Sequence, residues 1–285
     1  MALKEVGIIV NGATGRIGST QHLANALGPI RAEGGLDVGG DRVMPRLLLV
    51  ARNAQKLADI AKTYDAEWTT DLDSALARPE FPIFFDAAAT SQRVSALSKA
   101  IAAGKHLYSE KPVAPTVLQG RQLLQAAQAR GLKAGAVEDK VNLPGLRKLA
   151  KLADDGFFGR ITGFKLEFGW WVFDGGERPS QRSSWNYTKA GGGMTSDMYP
   201  HWRYIIEDIL GPIRRVVSAV STATPERIDE QGVPFAVDVD DSATTMLEME
   251  SGAIGTIVSS WATRVRRDDL VTLQVDGSAG SAVAG

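Results

Sequence analysis

In the first half of the chain, short apolar runs alternate with segments whose apolar positions recur every three to four residues. Val6–Val10 is a β-branched run that stops at Asn11-Gly12. The pattern then predicts a helix over Arg16–Leu27, ended by Gly28-Pro29. Further strands are predicted at Leu47–Ala51, Ile83–Ala88, His106–Ser109 and Leu132–Val137. The helices between them read as Ala54–Thr63, Arg93–Ala103 and Val117–Arg130. Strands that are apolar throughout and separated by amphipathic helices indicate a parallel sheet covered on both faces. The glycine- and charge-rich stretch Glu33–Pro45 reads as a surface loop or small insertion.

The pattern changes after Val137. One helix, Pro144–Asp154, is followed by strand candidates at Ile161–Phe168, Arg214–Val220, Ala243–Met249, Ala253–Ser260 and Leu270–Val275. Thr244–Glu250 and Ile254–Ser260 flank a hairpin signal at Ser251-Gly252-Ala253. The expectation is an α/β domain with a doubly wound parallel sheet over residues 1–137, followed by an α+β domain with a largely antiparallel sheet over 138–285. Gly280–Gly285 offers no closing element, so this second domain is expected to be incomplete at its C-terminus.

Composition narrows the function classes. The 285 residues are 44% hydrophobic and 23% charged, ordinary values for a globular protein. Thirty-two basic side chains against 33 acidic ones leave a net charge of −1, which gives no electrostatic case for nucleic acid or an anionic membrane as partner. There are no cysteines, so disulfides and thiolate metal sites are excluded, and no metal site is expected. No stretch approaches the roughly 18 unbroken apolar residues of a membrane helix, and the N-terminus does not read as a signal peptide. A cytoplasmic location is expected.

Candidate chemistry begins at Gly12-Ala13-Thr14-Gly15-Arg16-Ile17-Gly18, between the first strand and first helix. There, backbone N–H groups and the positive end of a helix can seat a pyrophosphate. The competing reading is a plain strand-to-helix turn. The second strand leads into Arg52-Asn53, where an acidic residue would grip the ribose of NAD. A guanidinium there can pair with a 2′-phosphate, so NADP is favoured over NAD; the alternative is a solvated surface charge.

Glu110-Lys111-Pro112 follows the fourth strand. Carboxyl ends of parallel strands face the ligand crevice, so Lys111 is delivered toward the nicotinamide, where an ammonium can steady a developing alkoxide. Alone, this tripeptide is a weak signal. Gly191-Gly192-Gly193 precedes Asp197 and His201, four residues apart on one helix face. Pro200 predicts a helix start near Asp197–Tyr199. Asp197 reads equally as an N-cap and His201 as a structural histidine. Of the three histidines, His22, His106 and His201, the last stands beside a carboxylate and suits proton exchange near neutrality.

In this order the motifs resemble the Gfo/Idh/MocA family of NAD(P)-dependent oxidoreductases, most of which act on sugars and polyols. The likeness also takes in Ala102–His106, Gly156–Gly159 with Ile161, and Gly277–Val283. The resemblance implies that Lys111 contacts the reacting hydroxyl, Asp197 orients it and His201 is the acid/base. It implies substrate contacts from Lys140 and Trp185, against the alternatives of a surface charge and core packing. It further implies a dinucleotide-binding Rossmann domain over residues 1–137, with cofactor contacts from Gly12–Ile17, Arg52, Asn53, Glu110 and Lys111, and a substrate-binding domain over 138–285 through whose sheet copies associate only if its outer face is complete. Three departures stand out: Thr90-Ser91-Gln92-Arg93 where many members have a histidine, Pro200, and a C-terminus shorter than usual. The readings carried forward are a dehydrogenase of a sugar, glycoside or polyol, a glycosidase or epimerase that oxidises transiently, and a non-catalytic sugar or nucleotide sensor.

Overall fold

The computed structural model describes residues 3–169, 183–189, 192–265 and 268–285. The chain divides into two compact units, Met1–Val137 and Glu138–Gly285. Among the described residues no helix is long and apolar enough to cross a membrane.

The first unit is a mostly parallel sheet with helices in the connections. Its strands are β1 (Leu3–Asn11), β2 (Leu36–Val38), β3 (Asp41–Val50), β4 (Glu67–Thr69), β5 (Ile83–Asp86), β6 (His106–Ser109) and β7 (Ala134–Ala136). They run in the order β2-β3-β1-β5-β6-β7, with β4 also pairing β3. Ile9, Val10, Leu47, Leu48, Leu49, Phe84 and Phe85 are all buried. Their alternate positions feed two separate apolar clusters, which is why these runs carry no polar face. Strand β1 lies between β3 and β5, so the connection direction reverses at its C-terminal end. That is the switch point at which open α/β sheets bind ligands.

One expectation in this unit is refined and another corrected. Glu33–Pro45, read as a surface loop or small insertion, is the ordered alternative of the two: β2 and the front of β3 form an antiparallel hairpin. Gly39 and Gly40 both take positive φ in the two-residue turn, the conformation such hairpins require. The first helix does not end at Gly28-Pro29. Ile17–Leu27 is wound in wide π-type turns, with the Gly28 N–H bonded to Leu23 O, and continues as α1 (Gly28–Ala32). Pro29 sits at the start of the new helical segment, where its missing N–H costs nothing. The remaining helices are α2 (Ala54–Thr63), α3 (Leu72–Leu76), α4 (Thr90–Ala102) and α5 (Val117–Ala129). Thus α4 begins three residues before the expected Arg93.

In the second unit, α6 (Pro144–Asp154) and α7 (Gly193–Leu210) accompany β8 (Ile161–Gly169), β9 (Ile213–Ser221), β10 (Glu226–Ile228), β11 (Pro234–Ala236), β12 (Ser242–Met249), β13 (Ile254–Ser260), β14 (Thr272–Gly277) and β15 (Ser281–Ala284). The main sheet has the order β15-β14-β8-β13-β12-β9, antiparallel except for β8 beside β13. The hairpin at Ser251–Ala253 forms as read. Ser281–Ala284, where no element was expected, is a strand paired to β14. One face of the sheet packs on α6 and α7 through Phe164, Leu166, Leu247, Ile257 and Leu273, with Trp202, Ile205 and Ile206 opposite.

Helix α7 starts four residues earlier than Asp197, so Pro200 lies inside it. What fixes the start is a remote carboxylate. Asp240 accepts from the Thr195 N–H and hydroxyl, and its carbonyl accepts from the Met194 N–H. These satisfy N-terminal donors that would otherwise stay unpaired. Gly193 has φ +74°, and a Cβ there would lie 2.8 Å from the Val239 Cβ, so the crossing demands glycine. Gly191 lies outside the described residues.

Candidate active site

The glycine turn follows from the strand that feeds it. Gly12 takes φ +81° and donates to Val50 O, and a Cβ on it would lie 2.6 Å from the Ala88 nitrogen. Gly18 is equally constrained, because a Cβ there would sit 2.4 Å from Gly12 O. The two glycines let the turn press against β5's exit and let the helix start directly over it. Gly15 N–H closes the turn onto Gly12 O. Among the described residues, the helix from Ile17 has no side-chain cap and no acid in its first turn. A glycine cradle ending in an uncapped helix N-terminus, at the sheet's switch point, fits a dinucleotide pyrophosphate. Ala13 is buried and Thr14 half-buried, whereas Gly15 and Arg16 are exposed at the lip. The Lys56 ammonium from α2 holds Thr14 O at 2.8 Å.

Arg52 is exposed just past β3. Asn53 does a structural job there, its side chain accepting from the Lys56 N–H to cap α2.

Beside this turn lies a network that the sequence did not announce. Asp86 ends β5 fully buried and accepts from Asn11 Nδ2 at 2.7 Å and from Arg93 Nε at 2.9 Å. Arg93, 2% exposed, also donates to Ala88 O and Pro112 O, both at 2.6 Å. The guanidinium thus ties the end of β5 to the turn after β6, where Lys111 sits before a cis proline. Glu110 receives the Lys111 N–H at 3.2 Å and faces His22 Nε2 at 2.6 Å. This corrects the expectation that His201 alone has a carboxylate beside it: His22 reaches back from the wide first helix to Glu110. Its ring also meets Phe85 edge-on, with centroids 4.5 Å apart. The one hint in the sequence was the aspartate closing the apolar run Ile83–Asp86, since a carboxylate delivered into a core needs a cation.

In the second unit, His201 is buried on α7 and its Nδ1 lies 2.7 Å from Glu138 Oε2. Asp197, half-buried, is one turn earlier on the same helix rather than at its cap. The carboxylate on Nδ1 comes from residue 138. Glu138 precedes the helical turn Asp139–Asn142, which packs on α7. Lys140 lies in that turn, its ammonium 3.4 Å from Asp139 and its side chain 20% exposed. Trp185 lies in the turn Ser184–Tyr187 and is 56% exposed, which rules out core packing for it. Tyr187, two residues on, is the core residue, edge-on to Trp261 and under the Arg227 guanidinium.

Comparison with known proteins agrees with these two units. Residues 6–137 match the oxidoreductase family with an NAD-binding Rossmann fold, and residues 146–283 match the GFO/IDH/MocA C-terminal domain. The chain is 46% identical over 287 residues to the D-xylose dehydrogenase of Paenarthrobacter nicotinovorans, covering 98% of this chain and 74% of that protein. It is 26% identical over 256 residues to the levoglucosan dehydrogenase of Pseudarthrobacter phenanthrenivorans, covering 84% of this chain and 64% of the relative. A levoglucosan dehydrogenase structure, in complex with NADH and levoglucosan, superposes with a TM-score of 0.84 at 23% identity, over 99% of this chain and 73% of that one. The chain belongs to the Gfo/Idh/MocA family of NAD(P)-dependent oxidoreductases.

Proposed function

We propose that the chain is a sugar dehydrogenase that oxidises a hydroxyl of an aldose or a related cyclic sugar, with NADP preferred over NAD. What carries this reading is the combination of the glycine-cradled, uncapped helix start at the switch point with 46% identity to a D-xylose dehydrogenase. Gly12–Ile17 and Arg52 would hold the dinucleotide, which when bound would supply a nicotinamide carbon for hydride exchange. Lys111 contacts the reacting hydroxyl and steadies negative charge on its oxygen. Asp197 orients the hydroxyl, and His201 takes or returns its proton. Lys140 and Trp185 contact other parts of the sugar, and the exposure of Trp185 suits stacking against a sugar face. Arg52, exposed at the end of β3, supports the NADP preference through pairing with a 2′-phosphate. The same reading pairs copies of the chain through the open face of the main second sheet, where Val217, Met246, Ile254 and Val258 lie exposed on one side.

The test is a spectrophotometric screen of aldoses, anhydrosugars and inositols with both cofactors, run on wild type and Lys111→Ala. Net NAD(P)H formation with a pentose or hexose is expected, abolished in the variant while cofactor affinity stays within about threefold. Loss of cofactor binding together with turnover would refute the role given to Lys111. Turnover of a glycoside without net NAD(P)H would instead point to transient oxidation.

A further inference from the structure

His201 is held by a carboxylate that the reaction as described above does not use. Glu138 Oε2 and His201 Nδ1 are 2.7 Å apart, and their side chains are 8% and 3% exposed. Asp139 Oδ1 lies 4.0 Å from the same nitrogen, but that side chain is 66% exposed and well solvated. A buried carboxylate needs a hydrogen-bond donor. An imidazole facing it through Nδ1 meets that need by carrying its proton there, which leaves the lone pair on Nε2.

We propose that Glu138 is a positioning residue that fixes His201 as the Nδ1–H tautomer and orients Nε2 toward the substrate hydroxyl. This rests on the reading that His201 exchanges the substrate proton. In that exchange the hydroxyl O–H bond breaks, its electron pair stays on oxygen, and an Nε2–H bond forms. The imidazolium so produced then faces the negative charge of Glu138, which stabilises it where water has little access. The turn Asp139–Asn142, packed on α7, keeps the carboxylate in place.

Two measurements test this. The first is ¹⁵N NMR of the histidines in wild-type protein without cofactor or sugar. The neutral His201 ring is expected as a single Nδ1–H tautomer; an Nε2–H tautomer or an even mixture overturns the proposal. The second is steady-state kinetics of Glu138→Gln, Glu138→Asp and His201→Ala. Glu138→Gln removes the charge and can present an amide N–H to the ring. It is expected to lower kcat by at least about 100-fold, against about 10⁴-fold for the like change in a serine protease triad. The sugar KM should stay within about threefold, and Glu138→Asp, which keeps the carboxylate, should recover part of the loss. A wild-type kcat in Glu138→Gln beside an inactive His201→Ala overturns the role of Glu138 alone. An active His201→Ala overturns the proton role of the histidine itself.

Discussion

Arg93→Met tests whether the buried guanidinium holds the carboxyl end of β5 to the turn after β6. In the wild type this side chain makes hydrogen bonds to Asp86, Ala88 O, Thr90 Oγ1 and Pro112 O. Methionine fills similar space but donates nothing. Asp86, fully buried, then keeps only the amide of Asn11 among these side-chain donors, and two carbonyls lose theirs. Removing one member of a buried ion pair costs about 3–5 kcal/mol, chiefly because the other charge is left behind. Against a typical domain stability of about 5–15 kcal/mol this is a large share. Hydrogen exchange read by mass spectrometry on peptides covering Ile83–Asp86 and His106–Ser109 should therefore speed up by about two to four powers of ten. Neutralising the stranded partner should help: Asp86→Asn with Arg93→Met is expected to be more stable than Arg93→Met alone by at least about 1 kcal/mol, as coupled neighbours are. A loss below about 1 kcal/mol in the single variant, or a double variant no better than the single, would refute the reasoning.

Three further outcomes are expected. Gly12→Ala forces a Cβ to 2.6 Å from the Ala88 nitrogen at φ +81°, a conformation costing about 1–2 kcal/mol before the clash, so calorimetry should show dinucleotide affinity falling at least tenfold; unchanged affinity would mean the turn is not the cradle. Arg52→Ala should weaken NADP binding about tenfold or more, the worth of a charge-assisted hydrogen bond, with NAD little affected; equal losses would remove the support for NADP. Burial of the Tyr199 phenol, partly offset by its hydrogen bond to Thr245, pushes its proton affinity above the ordinary tyrosine range. The folded chain therefore keeps this proton when the unfolded chain gives it up, so the contribution is complete below about pH 10 and is lost as pH rises through the folded value. Urea midpoints of Tyr199→Phe should fall less steeply with alkaline pH than those of the wild type, and parallel profiles would count against the assignment.

Much of the architecture was legible in the sequence because it is written in local periodicity. Continuous apolar runs such as Leu47–Val50 have to be covered on both faces, and helices must lie between them. The placement of Gly12–Gly18 between strand and helix, and of Glu110-Lys111-Pro112 at a strand end, follows from the same reading. The hairpin at Gly39-Gly40 was missed, because the charge and glycine around it masked the short strand. What the sequence alone did not determine depends on residues far apart along the chain. Asp240 sets the start of α7 from 45 positions away, overriding the local signal of Pro200. Arg93 reaches Pro112, His22 reaches Glu110, and Glu138 reaches His201 across 63 residues. Such pairs leave no periodicity, since a buried charge is satisfied by whichever element the fold brings beside it. Residue types and strand ends could therefore be named from the sequence, while the partner of each buried charge was decided by tertiary packing.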